Sequence, residues 1–142
     1  MTFVDCDPVP LALEWCRAHP RVLAEIGGPG HISGIREAPF PHLAVSAGTE
    51  TDVGDMRTSA LIGEVNFELW GPPDGTMGPA ALRRLAFVIA EAMVEIPEAD
   101  YVPGAPVVSV VRINRAPSKQ DLTNGQRRWS FTAAITMRPA TP

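Results

Sequence analysis

The chain has 142 residues, 45% of them hydrophobic and 20% charged, with a formal net charge of −4. That is an ordinary globular composition for one domain, large enough to bury roughly 68% of the surface its unfolded form exposes. It excludes an intrinsically disordered chain, and the acidic balance argues against a dedicated duplex-DNA binder, which carries a basic face. The most apolar stretch, around Leu85–Met93, is interrupted by Glu91 and falls short of the roughly 20 residues of a membrane helix. The acidic start Met1-Thr2-Phe3-Val4-Asp5-Cys6-Asp7 is unlike a basic secretory leader, so a protein that stays where it is made is expected.

Asp7-Pro8 predicts a helix start, an acceptor side chain at the cap followed by proline at the first helical position. Leu11, Trp15 and Ala18 recur at helical spacing. His19-Pro20 breaks that helix, because the residue before proline disfavours the α conformation. Pro20 opens a second turn, Arg21–Ile26, which Gly27-Gly28 ends. A short edge strand at His31–Arg36 and a strand at Leu43–Ala47 follow, then an acidic loop, Gly48–Asp55.

Val65, Phe67 and Leu69 alternate with Glu64, Asn66 and Glu68, the pattern of a half-buried strand. Pro79–Ile96 is the strongest predicted helix, its apolar stripe made by Leu82, Leu85, Ala86, Ile89, Met93 and Ile96. Val107–Arg115 is β-branched and predicts a central strand. Ser118–Gly125 predicts a polar loop around the turn pair Asn124-Gly125. Trp129, Phe131, Ala133, Ile135 and Met137 then alternate with polar or small residues in the cleanest strand of the sequence. The expected architecture is a single α+β domain over residues 1–142, with an antiparallel or mixed β-sheet, helices packed on one face, and the order α-β-β-α-β-β. Residues 138–142 are expected to form a frayed tail. Fifteen prolines, spread over element boundaries, read as punctuation.

The candidate chemical constellations fail on context. Cys6, Cys16 and His19 offer metal-ligand types but no second ligand pair, so free thiols and no metal site are expected. His31 and His42 could be combined with Ser33 or Ser46 and with Asp52 or Asp55 in a hydrolase triad. However, no strand–Gly-x-Ser-x-Gly–helix elbow is present, and two solvent-exposed loop histidines are expected instead. The glycines from Gly27 to Gly34 follow a helix rather than a strand, which suits a helix stop and not a phosphate loop. Arg112, Arg115, Arg127, Arg128 and Arg138 make the C-terminal half locally basic. They suit either an acidic partner surface or a solvated sheet face paired with Glu64 and Glu68. Trp15, Trp70 and Trp129 are expected as core or element-end anchors. No catalytic residue, metal or cofactor is expected, and the polar sheet face must meet water, a partner or a lumen.

In order and spacing, four segments together resemble the tail terminator (tail completion) proteins of long-tailed, siphovirus-type phages, especially those infecting actinobacteria. They are Leu11–Pro20 with its glycine break; Pro41-His42-Leu43-Ala44-Val45 leading through an acidic loop to Val65–Gly71; the alanine-rich helix Ala80–Ile96; and Gly125–Thr132 running to Arg138-Pro139. The resemblance implies a non-enzymatic virion protein assembled in the host. It implies a homo-hexameric ring that caps the head-proximal end of the tail tube and stops its polymerisation. The ring would meet the tail tube protein on one side and a head–tail connector or stopper protein on the other. DNA would pass through the lumen without sequence-specific binding. On charge and strand face, Arg57, Glu64, Glu68, Arg112 and Arg128 are the expected subunit or partner contacts. The alternatives are another neck or head-completion connector protein, or a small-ligand binding domain with a pocket between helix and sheet.

Overall fold

The computed structural model describes residues 6–48, 60–98, 106–121 and 125–139. The protein is α+β, a five-stranded mixed sheet with three helices. Helix α1 spans Pro8–Ala18, and the Asp7 carboxylate accepts a hydrogen bond from the Val9 amide at 3.0 Å. His19 is extended, ends α1, and caps the following helix α2 (Pro20–Ile26) through Nδ1, which accepts from the Val22 amide. One residue thus serves as stop and start, as the proline after it requires. Gly27 closes α2 at φ 112°, a left-handed conformation that a side chain resists.

A short 3-10 turn at Pro29–His31 leads to β1 (Ile32–Ser33), which pairs in parallel with β2 (His42–Ala47). Strand β3 (Leu61–Trp70) runs antiparallel to β2, and β5 (Arg127–Arg138) runs antiparallel to β3. β4 (Val107–Asp121) lies outside β5, so the sheet order is β1-β2-β3-β5-β4. Helix α3 (Pro79–Val94) enters from β3 and ends two residues earlier than its apolar stripe predicts. Ile96 nevertheless stays buried, on the 3-10 turn Ile96–Glu98.

All three helices pack on one face of the sheet. That face presents Val65, Phe67 and Leu69 of β3 and Trp129, Phe131, Ala133, Ile135 and Met137 of β5, all buried. The Phe67 and Phe131 rings stack at its centre, 4.5 Å apart and inclined by 4°. The predicted stripe of α3 is buried against them. Close approach is allowed at Gly63, where a Cβ would stand 2.6 Å from Cγ of Pro8, the first residue of α1. Trp15 Nε1 donates to the Ala92 carbonyl at 2.8 Å and ties α1 to α3. The Arg17 guanidinium donates twice to the Ile32 carbonyl, at 3.1 and 2.9 Å, tying α1 to the β1 edge.

Three expectations are corrected. Ser118–Asp121 is not loop but the end of β4, since Ser118, Gln120 and Asp121 pair with Ser130, Arg128 and Arg127. Polar residues there alternate across a strand whose far side is open, so polarity alone misled. β4 is also an edge strand and not a central one. Arg138, expected in a frayed tail, is the last residue of β5 and pairs with Val107. The acidic loop expected at Gly48–Asp55, apart from Gly48, and Asn124 lie outside the described residues.

Candidate interaction surface: the open sheet face and its edges

Register fixes what the uncovered face carries, because residues directly opposite in a ladder share a face. β3 contributes Ile62, Glu64, Asn66 and Glu68, opposite Thr136, Ala134, Thr132 and Ser130 of β5. β4 adds Val110, Arg112, Arg115 and Ser118, opposite Thr136, Ala134, Thr132 and Ser130, and Gln120 opposite Arg128. Register shifts around Ile113/Arg115 and Arg115/Ser118 mark bulges in β4, which re-aim side chains on an edge strand. Asn114 accordingly reaches over β5, its Nδ2 donating to Glu64 Oε2 at 3.3 Å.

The same network ties the rest of the face together. Arg128 Nη1 donates to Glu68 Oε2 at 3.3 Å, and Arg115 Nη2 to Ser130 Oγ at 3.3 Å. Between them lies a polar groove of about 310 Å³ lined by Glu64, Glu68, Arg115, Gln120, Arg128 and Thr132. Gln120 Oε1 and Arg128 Nε are buried in this region without a hydrogen-bond partner among the described residues. At one end Trp70 is flanked by two guanidiniums, with Arg36 Cζ 4.4 Å and Arg128 Cζ 5.2 Å from its ring centre. Arg36 is held further by Gln126 Oε1 at 3.4 Å, while Gln126 Nε2 donates to the Gly71 carbonyl at 2.8 Å.

Of the contact residues expected from sequence, Glu64, Glu68, Arg112 and Arg128 stand on this one face. Glu68 and Arg128 are already paired, as the solvated-face reading has it, whereas Arg112 is exposed and makes no hydrogen bond or ion pair with described residues. Arg57 lies outside the described residues. The stacking of Arg36 on Trp70 escaped sequence reading, because it joins a loop to a strand end 34 positions away. Only the isolated aromatic at a strand terminus hinted at it.

His42 corrects another expectation. It is a fully buried residue of β2, not an exposed loop histidine. Its Nδ1–H donates to the Pro39 carbonyl at 3.3 Å, which leaves Nε2 beside Ser33 Oγ at 2.8 Å. A serine next to an imidazole is half of a hydrolytic triad, but the orienting group here is a carbonyl and not a carboxylate. Ser33 Oγ also bonds the Ile35 backbone, so the pair pins the turn after β1. His31 is half-buried, its Nδ1 against the Pro41 carbonyl at 2.7 Å. Cys6 and Cys16 are buried and joined in no disulfide, and burial pushes the Cys16 thiol up to about 12, next to Met93 Sδ at 3.8 Å. His19 Nε2 meets Glu95 at 2.7 Å, and no group of three metal-ligand side chains forms among the described residues. Nor, among the described residues, is any helix long and apolar enough to cross a membrane.

Together these features define an α+β protein with one helix-covered face, one charged open face and two sheet edges. No described protein family matches the chain, and no curated protein does. Among solved structures, the fold is similar to that of a chain in the virion of a native gene transfer agent (GTA) particle. The TM-score is 0.62 with 16% identity, over 90% of this chain and 92% of that one. At that identity the likeness is one of fold, and it extends over almost the whole of both chains.

Proposed function

We propose that this is a virion structural protein of a phage or phage-like particle, a tail terminator without catalytic function. Copies of it form a hexameric ring that caps the head-proximal end of the tail tube, ends tube polymerisation and joins the tail to the head connector. The observation that carries this reading is the end-to-end likeness to a chain of a gene transfer agent virion. The four segments that resemble tail terminators add the position in the particle. The net charge of −4 suits a lumen through which DNA slides, since cationic groups would hold phosphates. Glu64, Glu68, Arg112 and Arg128 act in this reading as subunit or partner contacts on the open face, together with Arg57.

The test is to mix the purified protein with tail tubes and with portal-containing capsids, then measure mass by light scattering and image both by negative stain. Six-subunit rings, or density confined to tube ends, are the expected result. Binding to portal-filled capsids in preference to tubes would move the protein to a neck connector, and a monomer or dimer indifferent to both would end the assembly reading.

A further inference from the structure

The two free edges of the sheet differ in how they are protected. Edges are normally blunted by prolines, charges and bulges, because unpaired N–H and C=O groups invite another strand. The second half of β4 follows that rule, with Arg115, Pro117 and Lys119. Its first half, Val107–Asn114, does not: it has four valines, one isoleucine, no proline and the single charge of Arg112. Val110 stands there 48% exposed. At the opposite edge, beyond the two-residue β1, Ile35 is 65% exposed in the segment that follows the strand. Glu37, two residues on, is exposed and makes no hydrogen bond or ion pair with described residues.

The two edges therefore carry matched pairs at the same spacing. One has an exposed Ile35 and, at Glu37, a carboxylate without a partner among the described residues; the other has an exposed Val110 and, at Arg112, a guanidinium without a partner among them. Each pair is two residues apart, and Val110 and Arg112 share one face of β4. The Glu37 segment is also anchored, because Arg36 is stacked on Trp70 and bonded to Gln126. A pre-set segment loses less freedom on binding.

The geometry points to a head-to-tail contact between copies of this chain. The segment after β1 of one copy, through Ile35 and Glu37, seats against Val110 and Arg112 on the β4 edge of the next. Such a contact uses two different surfaces on opposite edges of one sheet. Repetition then generates a ring or a filament and never a closed two-fold dimer. This inference rests on the assembly reading above, and it names the surfaces that would make the ring.

The test is a charge swap in the full-length protein, read by sedimentation velocity over a concentration series with and without tail tubes. Glu37→Arg and Arg112→Glu are each expected to raise the self-association midpoint about tenfold or more. The double variant should return it to within about threefold of the original, and Val110→Asp should leave monomer. All three substituted positions are exposed, so thermal melts should be unchanged, and recovery in the double variant shows that the fold survives each change. Single variants that assemble like the parent, or a double variant no better than either single, would overturn the contact. So would a parent protein that stays monomeric at every concentration, with or without tubes. Variants that have lost assembly yet cap tubes like the parent would uphold the edge contact and sink ring capping. A parent that caps tubes while Val110→Asp assembles normally would uphold capping and sink the edge contact.

Discussion

The two faces of this sheet are built from alternate residues of the same strands, yet they obey different energetics. On the covered face Val65, Phe67, Phe131 and Ile135 are out of water, and their contribution scales with the apolar area removed. On the open face Arg128 donates to Glu68, Asn114 to Glu64 and Arg115 to Ser130, each at 3.3 Å and with one or both partners in contact with solvent. Partly exposed ion pairs contribute little, because water already stabilises each charge and holding two long side chains costs entropy. The covered face therefore holds the fold together, and the open face is free to be spent on contacts with other molecules.

The sharpest way to break that contrast is to remove one residue from the covered face. Phe131→Ala deletes half of the central ring stack and should cost about 3–5 kcal/mol, read by urea unfolding. A loss below 1 kcal/mol would mean that the Phe67–Phe131 pair is not the centre of the core. Gly63→Ala tests how closely α1 sits on the sheet. With only 2.6 Å between the new Cβ and Pro8 Cγ, the helix start must lift, at about 1–3 kcal/mol. Glu68→Gln on the open face should change the same unfolding free energy by less than about 1 kcal/mol, since its ion pair with Arg128 is partly solvated. An effect as large as that of Phe131→Ala would erase the distinction between the faces.

The smallest expected effect lies on the outer helix surface. Glu25 titrates below its ordinary value of 4.5, first because the Arg84 side chain hydrogen-bonds its carboxylate at 2.9 Å. A depressed folded value means the stabilisation is present above about pH 4.5 and is lost as pH falls through the lower folded value. Parent and Glu25→Gln proteins should thus differ slightly in melting temperature at neutral pH, and the gap should close on acidification below pH 4.5. A gap that widens on acidification would contradict the sign.

Much of this architecture was legible because it depends on short-range rules. Alternation in Val65–Leu69 and Trp129–Met137 named two strands and the face each would bury. The stripe of α3 named its core residues, and His19-Pro20 and Gly27 marked helix boundaries through steric limits that act within one or two residues. Periodicity also assigned Glu64, Glu68 and Arg128 to the polar face, since facing direction in a strand follows from parity alone.

What the sequence could not determine is which strand lies next to which. Val107–Arg115 has the composition of a central strand, yet β5 inserts between β3 and β4 and leaves β4 at the edge. Only the packing of α3 and the pairing of distant segments settle that order, and with it which N–H and C=O groups remain unpaired. Burial of His42 and the stacking of Arg36 on Trp70 are tertiary for the same reason. Local rules set the direction in which each side chain points; contact between residues far apart in the chain decided whether it meets core, solvent or another molecule.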